Sequence, residues 1–191
     1  RVLVNASAIG YYGDRPADRP MTEEAEPGDG FMCRVVRDWE AATAPAAEAG
    51  TRVAMLRFGL VLDPAGLLLQ GMRVSTWLGL GAKLGDGQQV FPWITRDEIA
   101  NLIPFVLERT DLAGPVNAAA PDKVTNEEFA DTVARVMNRP RFLKIPALAL
   151  RILGELSDEV LTGAWVVPRK LERAGYPWRE PELEPALRRM L

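Results

Sequence analysis

The sequence predicts an α/β fold with a parallel sheet at the front of the chain and a smaller, mainly helical lobe behind it. Three observations carry that expectation. Short apolar runs of strand length alternate with segments at helical spacing in the order strand, helix, strand, and a βαβ unit needs a parallel pair and a right-handed crossover. The first apolar run ends in small residues and opens into a long loop rich in Gly, Pro and Asp, too long for a simple connector. The tail reads as short helices punctuated by Pro146, Gly154, Gly163, Pro168, Gly175 and Pro177.

Taken in order, Arg1–Ala6 is the first strand, an apolar run suited to the centre of a parallel sheet. The loop covers Ser7–Gly30. From Phe31 to Ala49 the residues Phe31, Val35, Trp39, Ala42 and Ala46 fall at helical spacing, with Asp29 as N-cap and Gly50 just past the end. Val53–Phe58 is the next strand, adjacent and parallel to the first. A helix is expected between Pro64 and Leu80, then a glycine cluster (Gly79, Gly81, Gly85, Gly87) and a short strand at Val90-Phe91. Thr95-x-x-Glu98 is a capping-box signature for a helix through Leu107, with Pro104 marking a kink or a shifted boundary. Pro115–Ala119 is a small strand. Thr125-x-x-Glu128 repeats the box and opens a helix to Met137, and Arg141–Ile145 reads as extended.

Composition narrows the function classes. The chain has 191 residues, is 48% hydrophobic and 26% charged, and carries a net charge of -3, so no basic footprint for nucleic acid is present. Histidine is absent, which excludes a Ser-His-Asp triad, an imidazole acid-base step and a histidine-bound metal site; no metal is expected. The single cysteine, Cys33, cannot form an intramolecular disulfide and suits a reducing, cytoplasmic setting. Charge interrupts the longest apolar stretches, as Arg151 does within 147–156, so no membrane span is expected, and no signal peptide is visible. The chain starts in mid-strand with no lead-in, as the C-terminal part of something longer would, and the first strand is expected to present an unpaired apolar edge that favours homo-oligomers.

Two stretches compete for chemistry. Gly79-Leu-Gly81-Ala-Lys-Leu-Gly85 has the look of a dinucleotide loop, but a third glycine is missing at Leu84 and the cluster follows a helix rather than a strand. It reads as a turn. The stretch from Asn5 to Asp14 puts one hydroxyl, Ser7, and two phenols, Tyr11 and Tyr12, just past the C-terminal end of a parallel strand, the edge at which open α/β sheets bind ligands. Ser can hydrogen-bond a substrate oxygen and Tyr can donate a proton; turn chemistry around Gly10 and Gly13, with packed tyrosines, explains the same residues as well. Arg57 is a lone charge in an apolar strand and must pair with a carboxylate or reach the sheet edge. Asp97 reads as a helix-dipole partner and Cys33 as core.

Several motifs together resemble a known family. Ser7-Ala-Ile-Gly-Tyr-Tyr-Gly-Asp, Arg37-Asp-Trp-Glu-Ala-Ala, Leu56-Arg-Phe-Gly-Leu-Val-Leu, Phe91-Pro-Trp-Ile-Thr-Arg-Asp, Gly114-Pro-Val-Asn-Ala-Ala-Ala-Pro and the tail from Val167 to Leu187 are similar, in order, to the atypical extended short-chain dehydrogenase/reductases, the epimerase family. The resemblance implies a Rossmann-type fold. Residues 1–120 would be the second half of its dinucleotide-binding domain and 121–191 a C-terminal, substrate-side lobe. It implies NADP(H) or NAD(H) as cofactor, with the pyrophosphate loop in a preceding half of about 100 residues. A sugar-like or other small carbonyl compound would be the substrate. In the family pattern Ser7 polarises the substrate oxygen, and Arg57, Phe58 and Gly59 pass beside the nicotinamide; by elimination, with histidine absent and Cys33 in an apolar helix pattern, Tyr11 or Tyr12 is the nearest candidate proton donor.

The sequence departs from the pattern in two places. Ordinary members carry Tyr-x-x-x-Lys on the helix after the serine loop; here the two registers give Met32 and Val36 or Phe31 and Val35, with neither phenol nor ammonium. Thr95 stands where relatives usually show His. The loss of Tyr and Lys leaves a nucleotide-binding pseudoenzyme, sensing redox state or binding a partner without turnover, as the alternative to an oxidoreductase or epimerase.

Overall fold

The structure, a computed structural model, describes residues 1–79, 83–140, 144–145 and 163–191. Its strands are β1 (Val2–Ala8), β2 (Pro20–Met21), β3 (Arg52–Phe58), β4 (Leu60–Leu62), β5 (Lys83–Leu84), β6 (Trp93–Thr95), β7 (Gly114–Ala118), β8 (Lys144–Ile145) and β9 (Trp165–Val166). Its described helices are α1 (Phe31–Ala41), α2 (Ala44–Glu48), α3 (Leu67–Trp77), α4 (Arg96–Glu108), α5 (Asn126–Val136), α6 (Arg169–Arg173) and α7 (Leu183–Met190), with a 3-10 turn over Ile9–Tyr12. The strand pairs β1–β3, β3–β7, β4–β6, β2–β9 and β5–β8 are all parallel. The central sheet has the order β1-β3-β7, with β1 paired on one side, by β3.

Side-chain alternation divides that sheet into two faces. Leu56 and Val116 face Leu102 and Val106 of α4 in one buried cluster, to which Leu171 of α6 also belongs. On the other face lies α1, which packs on β1 and on the 3-10 turn. A second cluster joins Leu69 of α3, Trp93 of β6, Phe129 and Val133 of α5 and Leu187 of α7. Each fully buried Leu or Phe there contributes about 1.5–3 kcal/mol over exposure. Among the described residues no helix is long and apolar enough to cross a membrane.

Four local expectations change in the structure. The helix expected over Phe31–Ala49 is two helices, because Pro45 has no N–H to give the carbonyl of residue 41 and opens α2 instead. Gly30, not Asp29, occupies the N-cap, while Gly50 ends α2 with φ +77° as expected. The strand placed at Val90-Phe91 is a single bridge from Val90 to Thr125; the strand itself is Trp93–Thr95, beside β4. Helix α4 is unbroken at Pro104 and ends at Glu108. Of the glycine cluster, Gly81 lies outside the described residues, as do 141–143 and the punctuating Pro146 and Gly154.

Both capping boxes open helices, in different ways. Thr125 and Glu128 make the full reciprocal pair. Thr95 accepts from the Glu98 backbone N–H, but the Glu98 carboxylate turns away to other partners.

Candidate active site

The parallel register brings three polar side chains into one row. Ser7 of β1 lies opposite Arg57 of β3, which lies opposite Asn117 of β7. In-register residues of neighbouring strands share a face, so all three project toward α1 near the C-terminal ends of their strands. All are buried, at 3%, 2% and 0% exposure, and buried polar groups cost stability unless paired.

One chain of hydrogen bonds satisfies the row. Ser7 Oγ donates to Glu40 Oε1 at 2.6 Å. Arg57 grips the same carboxylate with two nitrogens, Nε to Oε1 and Nη2 to Oε2, each at 2.8 Å. Its remaining Nη1 donates to the Tyr12 hydroxyl at 2.9 Å, and Tyr12 donates to Asn117 Oδ1 at 2.7 Å. Asn117 Nδ2 then donates to the Val167 carbonyl at 2.9 Å, tying the row to the segment after β9. Glu23 accepts from the Asn117 and Lys170 backbone N–H groups. A two-pronged guanidinium–carboxylate pair is the strong, directional kind.

The electrostatics follow from this packing. Burial alone would pull the Arg57 pKa down, but the hydrogen bonds to Glu40, with Tyr12 and the Glu40 charge, push it up overall, so the guanidinium stays charged. Burial pushes the Tyr12 phenol up to about 12, against the opposite pull of Arg57 and of the bonds from Arg57 and Asn117. Tyr12 is therefore a neutral phenol near pH 7.

The two tyrosines part company here. Tyr12 is fully buried, with its hydroxyl engaged on both sides. Tyr11 is half-buried; its ring lies flat against the guanidinium, with Arg57 Cζ 3.4 Å from the ring centroid, and stands edge-on to Tyr12. Its hydroxyl makes no hydrogen bond among the described residues. Gly28 closes the loop over this pair: its N–H donates to the Tyr11 carbonyl, and a Cβ there would lie 2.2 Å from the Tyr12 carbonyl oxygen.

The other expected residues lie at the strand end. Phe58 is half-buried against the α4 side of the core. Gly59 is buried where the chain passes Pro92, and a Cβ would meet the Pro92 carbonyl oxygen at 2.9 Å. Of the two registers for the absent Tyr and Lys, only one faces the loop. A Cβ built on Gly10 would lie 3.7 Å from both Met32 and Val36, whereas Phe31 and Val35 are 63% and 40% exposed.

Glu40, Asn117 and Glu23 carry the network and were not singled out from sequence. The signal for Asn117 is a lone amide in an apolar strand; for Glu40 it is the need of Arg57 for a buried carboxylate, which many residues could meet. An open cavity of about 410 Å³ between α5 and α7, lined by Asp122, Glu128, Arg135 and Glu184, touches none of this machinery. Among the described residues no group of His, Cys, Asp and Glu could hold a metal ion.

A parallel α/β sheet with a polar row at the C-terminal ends of its strands defines a Rossmann-type protein. Residues 145–190 match the family described as "Domain of unknown function (DUF1731)". Epimerase family protein Mb2239 of Mycobacterium bovis is 42% identical over 187 residues, which is 97% of this chain and 62% of that protein. The crystal structure of human epimerase family protein SDR39U1 (isoform2) with NADPH superposes with a TM-score of 0.89 at 30% identity, over 99% of this chain and 64% of that one. The nucleoside-diphosphate sugar epimerase from Corynebacterium glutamicum gives a TM-score of 0.73 at 34% identity, over 97% and 36%. Over nearly its whole length the chain is similar to epimerase family proteins, and its fold matches theirs. It spans about 62% of the length of the curated relatives it matches.

Proposed function

We propose that the full-length protein is an NAD(P)-dependent oxidoreductase or epimerase acting on a sugar-like or other small carbonyl substrate. NADP(H) is the favoured cofactor, since the structure of SDR39U1 is one with NADPH. The observation that carries the reading is the Tyr11 hydroxyl, without a hydrogen-bond partner among the described residues, above a fully satisfied polar row at the ligand-binding edge of the sheet. In this reading residues 1–120 supply the nicotinamide side of the site and 121–191 the substrate side.

The residues present fit the nicotinamide end of such a cofactor at the sheet edge, where Tyr11 offers a hydroxyl that has no hydrogen-bond partner among the described residues. They do not fit it at Met32 and Val36, which offer no hydrogen bond. The cofactor, when bound, supplies or accepts the hydride. Tyr11 is the group proposed to meet the substrate oxygen and deliver its proton. Ser7 and Tyr12 act behind it, their hydroxyls held by Glu40 and Asn117. Arg57 orients the tyrosine pair, and Phe58 and Gly59 shape the strand end.

The test is NADPH oxidation by the full-length protein over a carbonyl panel, alongside cofactor titration. Tyr11→Phe should lower turnover by about two to four orders of magnitude, the usual scale of a positioned proton donor, with cofactor affinity little changed. Full activity in Tyr11→Phe and in Ser7→Ala on a confirmed substrate refutes the site. The second reading, a cofactor-binding pseudoenzyme, is favoured by Met32 and Val36 on the loop-facing side of α1; cofactor binding with no turnover on any substrate would establish it.

A further inference from the structure

Glu40 binds two of the three members of the polar row, Ser7 and Arg57, and it faces no ligand surface of its own: its side chain is 10% exposed. Two of its bonds fix the guanidinium of Arg57 in a single plane, because a planar fork engaged at two nitrogens cannot rotate without losing both. The Tyr11 ring rests on that plane. The same carboxylate takes the only hydrogen of the Ser7 hydroxyl, so Ser7 Oγ can accept from an incoming group but does not donate to one while this bond stands. Among the described residues the Tyr11 hydroxyl has no hydrogen bond to aim it. Its position depends on packing and on the guanidinium beneath it.

We infer that Glu40 is the positioning residue of this site: by clamping the Arg57 guanidinium it sets the plane against which the Tyr11 ring is aimed, and it holds Ser7 as an acceptor. The inference rests on the proposed role of Tyr11. Glu40 touches no substrate in this arrangement, so its removal should act on turnover through geometry rather than on binding. A misplacement of about 1 Å at a reacting group costs roughly a hundredfold in rate.

Glu40→Gln keeps the shape but turns an amide nitrogen toward Arg57. In the full-length protein it should lower kcat on a confirmed substrate by about a hundredfold, with KM and NADPH affinity nearly unchanged. Glu40→Asp, which keeps the charge with a shorter reach, should recover part of the loss. A readout free of activity is the 19F signal of 3-fluorotyrosine in place of Tyr11, which should be one sharp line in the parent and shift or broaden in Glu40→Gln. Should Glu40→Gln fail to fold, the pair Glu40→Leu with Arg57→Met removes both charges together, which buried pairs tolerate far better than loss of one. It should show the same loss of kcat and the same change in the 19F line. An unchanged kcat together with an unchanged 19F line, in whichever variant folds, overturns the inference. Should Tyr11→Phe prove fully active, the proposed role of Tyr11 falls, and the 19F line alone then decides whether Glu40 holds the ring.

Discussion

Two carboxylates, the half-buried Glu40 and the buried Glu98, keep opposite electrostatic company. Glu40 faces a cation, Arg57, and the hydroxyl of Ser7. Glu98, 1% exposed, is satisfied by neutral donors: the Tyr176 hydroxyl and the backbone N–H groups of Arg179 and Glu180, at 3.0 and 2.8 Å. Each has a buried tyrosine nearby, and the tyrosines record the difference. Burial raises both phenols, but the Arg57 charge holds Tyr12 to about 12, whereas the Glu98 hydrogen bond and charge push Tyr176 higher still. The first arrangement fixes side chains from β1, β3, β7 and α1 against one another. The second fixes backbone, pinning residues 176–180 to the start of α4. A paired charge serves where orientation matters, and neutral donors serve where a segment must be held down.

Breaking the first arrangement should have the larger effect. Arg57→Leu leaves the Glu40 charge buried without its partner and should cost about 3–5 kcal/mol, read from urea unfolding. Loss confined to about 1 kcal/mol would mean that Glu40 escapes to solvent and that the pair is not a closed unit.

Next comes Glu98→Ala, which strands one hydroxyl and two backbone donors and should cost about 1–3 kcal/mol. Glu128 supplies the control, since it occupies the same place in a capping box but returns to its own N-cap. Glu128→Ala should cost below about 1 kcal/mol. Equal losses at the two positions would erase the distinction between segment anchor and simple cap.

A smaller effect follows the Tyr12 proton. Its folded pKa of about 12 lies above the unfolded value of about 10, so between those pH values the folded state keeps a proton that the unfolded chain gives up. Stability therefore falls as pH rises through this window, by about 1.4 kcal/mol per unit from this group. Tyr12→Phe should remove that slope, so urea midpoints of parent and variant should converge between pH 10 and pH 12. Parallel curves would refute the buried-phenol account.

The smallest expected change is at Thr125. Thr125→Ala removes an N-cap remote from both carboxylates and should cost about 1 kcal/mol, with cofactor titration of the full-length protein unchanged. An altered cofactor affinity would mean that α5 is coupled to the polar row.

Local signals were legible where one residue decides the outcome. Gly50 ends α2 because left-handed backbone suits glycine, and Thr125 opens α5 because its hydroxyl reaches the next turn. The stretch with Ser7 at the end of β1 and Tyr11 and Tyr12 just beyond was legible as a candidate site because it lies at the C-terminal end of a parallel strand, although Ser7 falls within the strand rather than in the loop expected from Ser7 on. The need of Arg57 for a partner was legible too, as a charge in an apolar strand. Its partner was not. The periodic stripe Phe31, Val35 and Trp39 that marks α1 is 63%, 40% and 44% exposed, and the face that packs carries Cys33 and Val36. Apolar residues on two sides of a helix leave periodicity without a preference, and the buried guanidinium selects the side that brings Glu40.

By itself, then, the sequence determined the α/β class, the parallel order of its first two strands, the caps at Thr95, Thr125 and Gly50 and the family it resembles, since each depends on short-range chemistry or on motifs in order. Only the tertiary structure decided that Ser7, Arg57 and Asn117 form one row, that Glu40 clamps two of its members, that Met32 and Val36 stand beside the loop, and that among the described residues Tyr12 and not Tyr11 has its hydroxyl engaged. The reason is physical. Strand register and helix rotation are set by the whole core at once: a one-residue slip of a strand would send its member of the row to the opposite face, and a one-residue shift of α1 would swing Glu40 away by about 100°.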